Sequence, residues 1–128
     1  MLVKIYTANL NIARQDPDLL DVTKKSGVQA FAPTWAMVMG HKSGQVPDKE
    51  YINEYIALMR RSYDENQEVW TSILNRERVV LGCYCKPGAD FCHRYLLAEI
   101  LERLGGQVVG ELMPDGTIAP IPRMAFLH

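Results

Sequence analysis

The chain has no apolar run near the eighteen or so residues that cross a bilayer, no excess of either charge, no internal repeat and no low-complexity stretch. Fourteen Lys and Arg stand against fifteen Asp and Glu, a net charge of -1. Bulk electrostatics therefore argue against a nucleic-acid coat or an anionic membrane partner. The opening "MLVKIYTANL" lacks the apolar segment and small-residue cleavage site of a secretion signal, so the expected location is the cytoplasm. Cysteine is scarce as well. Three residues cannot all pair within one chain, and a reducing compartment keeps thiols free, which makes a disulfide framework the least attractive account of them.

What is present suffices for one domain: 128 residues at 48% hydrophobic content bury most of the apolar surface of the unfolded chain. "LVKIYTA" (2–8) and "DLLDVT" (18–23) read as strands, and "RVVLGCYC" (78–85) as the strongest strand, a near-continuous apolar run suited to a central parallel position covered on both faces. Between them, two helical turns follow Pro33. From an N-cap at Asp48, the residues Tyr51, Ile52, Tyr55, Ile56, Met59 and Tyr63 recur at helical spacing. Val69, Trp70, Ile73 and Leu74 continue the period in the same helix, bent near Asn66, or in a second one. Asp90 is placed as the N-cap of a helix "FCHRYLLAEILERL" that Gly105-Gly106 stops. "QVVGELM" then turns back through "PDGT" into "IAPI" as a hairpin, and "PIPRMAFLH" is expected over the surface. Strands alternating with helices predict a single-domain α/β fold, Rossmann-like in its layers, with a mostly parallel central sheet flanked by helices.

In such sheets ligands gather beyond the carboxyl ends of the strands. The segments expected there are the loop with Asn9, Asn11 and Arg14, the turn with Thr23, Lys24 and Lys25, and the loop from Cys85 to Arg94 that includes Lys86. Every cysteine lies within "CYCKPGADFCHRYL" (83–96). Cys83 lies deeper in the strand and reads as a small buried hydrophobe. Cys85 sits where the strand opens onto solvent. Cys92, His93 and Arg94 fall at a helix start, where bare amides and the dipole favour a thiolate and an anion. Asp21, an acid in a short apolar strand, needs a partner: it is paired with Arg14 or Arg94, or the strand is misplaced there. Trp35 and Trp70 read as core, and His41 as a solvated loop residue. Zinc is disfavoured: C-x-C-x6-C-H matches no common hook, and neighbours 100° apart on a helix diverge.

The pieces "DVT" (21–23), "FAPTW" (31–35), "YINEYIALMRRS" (51–62) and above all "LGCYCKPGADFCHRYLLAEIL" (81–101) resemble the family called domain of unknown function 488, over roughly residues 2–104. Members typically carry Asp-Val-Arg near the second strand and Cys-His-Arg at a helix start. Thr23 stands here where many have arginine, so an anion contact from that position passes to Lys24 or Arg14 or is absent. The resemblance implies an α/β fold and no established reaction.

The expectation is a small protein that binds a phosphorylated small molecule, a nucleotide or a nucleotide-derived metabolite. Arg94, Lys24, Arg14, Asn9, Asn11 and Lys86 would hold the anion, and Cys92 or Cys85 would act as nucleophile with His93 as base. No metal and no cofactor are expected, and self-association is compatible with this reading. The alternatives are a non-catalytic nucleotide binder or sensor and a structural zinc module.

Overall fold

A computed structural model describes residues 2–126. Five strands, β1 (Lys4–Asn9), β2 (Leu19–Asp21), β3 (Arg78–Cys83), β4 (Gln107–Leu112) and β5 (Ile118–Ala119), form one sheet in the order β2-β3-β1-β4-β5. The first four run parallel and β5 is antiparallel to β4, the expected hairpin. β3 is the interior strand its composition predicts, with Val79, Val80, Leu81 and Cys83 all buried.

The helices are α1 (Leu10–Ala13), α2 (Trp35–Lys42), α3 (Asp48–Glu65), α4 (Gln67–Leu74) and α5 (His93–Arg103), with a 3-10 turn at Gln29–Phe31. They load the sheet unevenly. One face, through Ile5, Val79, Leu81 and Cys83, meets the main core of Tyr55, Met59, Trp70, Leu97 and Leu101. The other carries the small cluster of Ala8, Ala13 and Val80, with Tyr6, Leu19 and Leu112 packed against it. Flanking by helices is therefore substantial on one face only.

Several boundaries move. Asn66 ends α3 and begins α4 as a separate helix. Thr34, whose hydroxyl accepts from the Met37 amide, caps α2, and Pro47 stands at the cap position assigned to Asp48. β3 stops at Cys83, which leaves Cys85 on the following loop. Residues 120–126 are not a surface strap. Ile121 and Ala125 are buried, and Glu99 accepts the amides of Met124 and Ala125 at 2.9 and 2.7 Å.

One irregularity aims a functional group. The β1–β4 register slips between Ile5 and Tyr6, so that Thr7 pairs with Glu111 instead of Gly110. Side chains alternate with period two, and the slip turns Glu111 to the Thr7 face, toward α5. Gly110 (φ 150°) makes the slip feasible, because a Cβ there would lie 2.5 Å from the Ala119 carbonyl oxygen.

Candidate functional site

At the carboxyl edge of the sheet, β3 ends and α5 begins side by side. Cys92, not Asp90, is the N-cap of α5, and its backbone is extended (φ -165°, ψ 145°). The 100° divergence expected for two helical neighbours therefore does not apply to Cys92 and His93. The Sγ atoms of Cys83 and Cys92 and a ring nitrogen of His93 all lie within 4.8 Å of one another.

Arg94 does not face a ligand. Its side chain is 0% exposed, and it is fixed by Glu111, whose side chain is 2% exposed. Nε donates to Glu111 Oε1 at 2.8 Å and Nη2 to Oε2 at 2.9 Å, a bidentate pair. Nη2 also reaches the Lys86 carbonyl at 2.9 Å, and Nη1 donates to Cys83 Sγ at 2.9 Å. The expected role of Arg94 as an anion clamp is corrected on this ground: its donors are engaged inside the protein, and what it presents to the site is charge. Glu111 accepts further from Thr7 Oγ1, the Tyr95 hydroxyl and the Gly88 amide at 2.8, 2.7 and 2.7 Å. Burial alone would raise its carboxyl, but the bonds from Arg94 and Tyr95 and the guanidinium charge outweigh burial and hold it below the usual carboxylate range.

The three cysteines differ in burial. Cys83 and Cys92 are buried, Cys85 is exposed, and Cys83 Sγ stands 2.8 Å from Cys92 Sγ. Hydrogen bonds from the Cys83 and Cys92 thiols, reinforced by the Arg94 charge and opposed by burial, draw Cys85 far below an ordinary thiol. In return, its hydrogen bond to Cys85 pushes Cys83 up to about 11. Burial first, and then the bonds to Cys83 and Cys85, push Cys92 up as well. Of the two expected thiolates, Cys92 and Cys85, burial disfavours Cys92: the helix start does not compensate the desolvation of a buried sulfur. Burial likewise holds His93 neutral. Its Nε2–H donates to the Val22 carbonyl at 2.8 Å, leaving Nδ1 unprotonated.

The donor set Cys83, Cys92 and His93 has the chemistry of a soft divalent-ion site. Its spacing is tighter than such a site requires, since two thiolates on one zinc at about 2.3 Å stand about 3.7 Å apart. The observed 2.8 Å is also closer than a thiol–thiol hydrogen bond holds two sulfurs.

A cavity of about 220 Å³ opens over Cys85, with all three cysteines and His93 on its floor. Its walls are aromatic and its rim basic. Trp35, Tyr51 and Phe91 line it with His41, which stacks on Phe91 (ring centroids 4.6 Å apart) and is held at Nε2 by Asp48 at 2.7 Å. Lys24, Lys25 and Lys42 also line it. Two expectations change here: Trp35 is 51% exposed on this wall, and His41 belongs to α2 and packs against the rings. Trp70 is core as expected.

Of the anion residues expected from the sequence, only Lys24 lines the cavity. Asn9 supports it from behind, its Nδ2 donating to the Cys85 carbonyl at 2.9 Å and so fixing the loop that carries the thiolate. Asn11 and Arg14 are exposed and bond each other at 3.2 Å, and Lys86 contributes its carbonyl to Arg94. Asp21 is partnered by neither arginine: the Thr23 amide and hydroxyl donate to it at 2.9 and 2.7 Å, and the Ser26 hydroxyl donates as well. Thr23 thus serves the acid of its own turn.

A family model, DUF488-N3a, described as the active DUF488-N3 subclade, matches residues 6–105. No curated protein and no solved structure matches the chain. Glu111, which completes the Arg94 pair, lies beyond the matched span. No helix among the described residues is long and apolar enough to cross a membrane.

Proposed function

The chain belongs to the DUF488 family, and from that premise we propose that it binds a small anionic molecule carrying an aromatic or heteroaromatic ring, of the nucleotide class, and attacks it with the Cys85 thiolate. The observation that carries this reading is the setting of Cys85. It is the exposed one of the three cysteines that line the cavity, two residues from Cys83, whose sulfur accepts from a fixed guanidinium. Such a sulfur is a nucleophile near neutral pH. The walls supply the ligand class: a planar ring stacks between Trp35 and the His41–Phe91 pair, and Lys24, Lys25 and Lys42 attract its charge. In the Rossmann-like reading of the layers, the carboxyl edge is also where phosphorylated ligands lie.

Trp35 makes the reading measurable. A nucleoside monophosphate titrated into the protein is expected to quench the Trp35 fluorescence saturably, to weaken with added salt, and to protect Cys85 from alkylation. Lys24→Ala and Lys42→Ala should each weaken binding by up to about fivefold, the scale of an exposed ion pair. Absence of both quenching and protection removes the nucleotide class. Quenching retained in Cys85→Ser with no turnover by the native protein favours a binder over an enzyme.

A further inference from the structure

A second polar network reaches the cavity, apart from the sulfurs, and it is built on the turn after β2. The Gly27 amide bonds the Thr23 carbonyl at 3.0 Å and the Val28 amide the Asp21 carbonyl at 2.8 Å, while Gln29 Nε2 donates to the carbonyls of Lys24 and Gly27 at 3.2 and 3.0 Å. Glycine is needed at position 27 by proximity, since a Cβ there would lie 2.6 Å from Asp21 Oδ1. A turn closed this tightly fixes Ser26, and the Tyr84 hydroxyl stands 2.8 Å from Ser26 Oγ. Counting hydrogens sets the direction of each bond. A carboxylate only accepts, and a hydroxyl has one hydrogen to give. Thr23 Oγ1 gives its hydrogen to Asp21 Oδ1, and Ser26 Oγ gives its own to Oδ2. Ser26 has none left for Tyr84, so the phenol donates to Ser26. Tyr84 lines the cavity, and all that its oxygen can still offer a ligand is a lone pair.

The charges and rings around Tyr84 decide which part of a ligand comes to it. Lys25 Nζ lies 5.7 Å from the centroid of the Tyr84 ring, and Lys24 lines the cavity from the same turn. Trp35, His41 and Phe91 form the ring-binding wall. A nucleotide with its base on that wall and its phosphate at Lys24 and Lys25 brings the sugar, which joins the two, beside Tyr84. Sugar hydroxyls are the donors that a phenol with its own hydrogen spent requires. We propose that Tyr84 is the specificity-determining residue of the cavity, accepting a hydrogen bond from a sugar hydroxyl and so selecting ribonucleotides over nucleotides whose sugar lacks hydroxyls. This rests on the nucleotide-class reading above and narrows it. The ligand hydroxyl extends the chain from Tyr84 through Ser26 to the Asp21 carboxylate, and each bond in such a chain polarises the next. A sugar without hydroxyls displaces water from the Tyr84 oxygen and returns no donor to it.

Adenosine 5′-monophosphate and its 2′,3′-dideoxy counterpart are the probes, titrated into the full chain by calorimetry. The wild-type protein is expected to bind the ribonucleotide about fivefold more tightly, the scale of one hydrogen bond. Tyr84→Phe keeps the ring beside Lys25 and removes the oxygen. It should bind the two nucleotides equally, at the wild-type affinity for the dideoxy compound. Ser26→Ala takes away the group that receives the Tyr84 hydrogen and should narrow the ratio. The ratio is the decisive readout, because a merely structural role for either residue would weaken both nucleotides together. An unchanged ratio in either variant, or loss of both nucleotides by Tyr84→Phe, overturns the proposal. Equal affinities in the wild-type protein overturn it while leaving the nucleotide class standing. Binding of neither compound by the wild-type protein overturns both readings.

Discussion

Exchanging Glu111 for alanine is expected to lower the free energy of unfolding by about 3–5 kcal/mol, the scale of breaking a buried ion pair and leaving one partner charged and alone. Five donors converge on this carboxylate: Thr7, Gly88, Tyr95 and two from Arg94. Removing it strands a guanidinium whose side chain is 0% exposed. Denaturant melts at pH 7 measure the loss, and a cost under about 1 kcal/mol would show that the pair is not a structural anchor. The sign of the pH effect follows from the same bonds. A carboxyl held low in the folded state stabilises above its unfolded value, about 4.3, and that contribution disappears as pH falls toward the folded value. Below about pH 4 the native protein should therefore converge on Glu111→Ala.

The second large effect is chemical. At pH 5 an unperturbed thiol, with a pKa of about 8.5, is ionised to roughly one part in three thousand, whereas Cys85, drawn far below an ordinary thiol by the neighbouring thiols and the Arg94 charge, is expected to be a thiolate. After allowance for the lower intrinsic nucleophilicity of an acidic thiol, iodoacetamide should label Cys85 at pH 5 several-fold, up to about ten times, faster than glutathione. The Cys85 rate should change little between pH 5 and pH 8, while that of glutathione rises about tenfold per unit. Arg94→Met, which removes the fixed charge behind Cys83, should bring back a pH dependence. A steep rise for the native protein would place the proton on Cys85.

The core of this architecture was legible locally. The apolar run Val79–Leu81 marks a buried strand, the tyrosine stripe of α3 marks a core-facing helix, and the turn before Ile118 marks a hairpin. The clustering of the cysteines at a sheet edge was legible for the same reason. What sequence misplaced was the assignment of roles within the cluster, because that depends on partners far along the chain. Arg94 reads as a free cation until Glu111, seventeen residues on, turns inward at the β1–β4 slip. The available signal was an acid in the middle of an apolar strand, the argument that flagged Asp21. Asp90 resembles an N-cap, but the chain stays extended to Cys92, and this two-residue delay makes Cys92 and His93 converge. Trp35 and His41 carry no local mark that separates a cavity wall from a core or a solvated turn. Only the packing of α2 against Tyr51 and Phe91 decides it.

The account stands on one ionised sulfur, and the most direct view of it is the ultraviolet absorbance of the thiolate, titrated in acid as the difference between the native protein and Cys85→Ser. A difference of one thiolate per chain that persists from pH 8 down to pH 5 is the predicted result. A difference that vanishes with a midpoint near 8.5 would contradict it, leaving Cys85 an ordinary surface thiol.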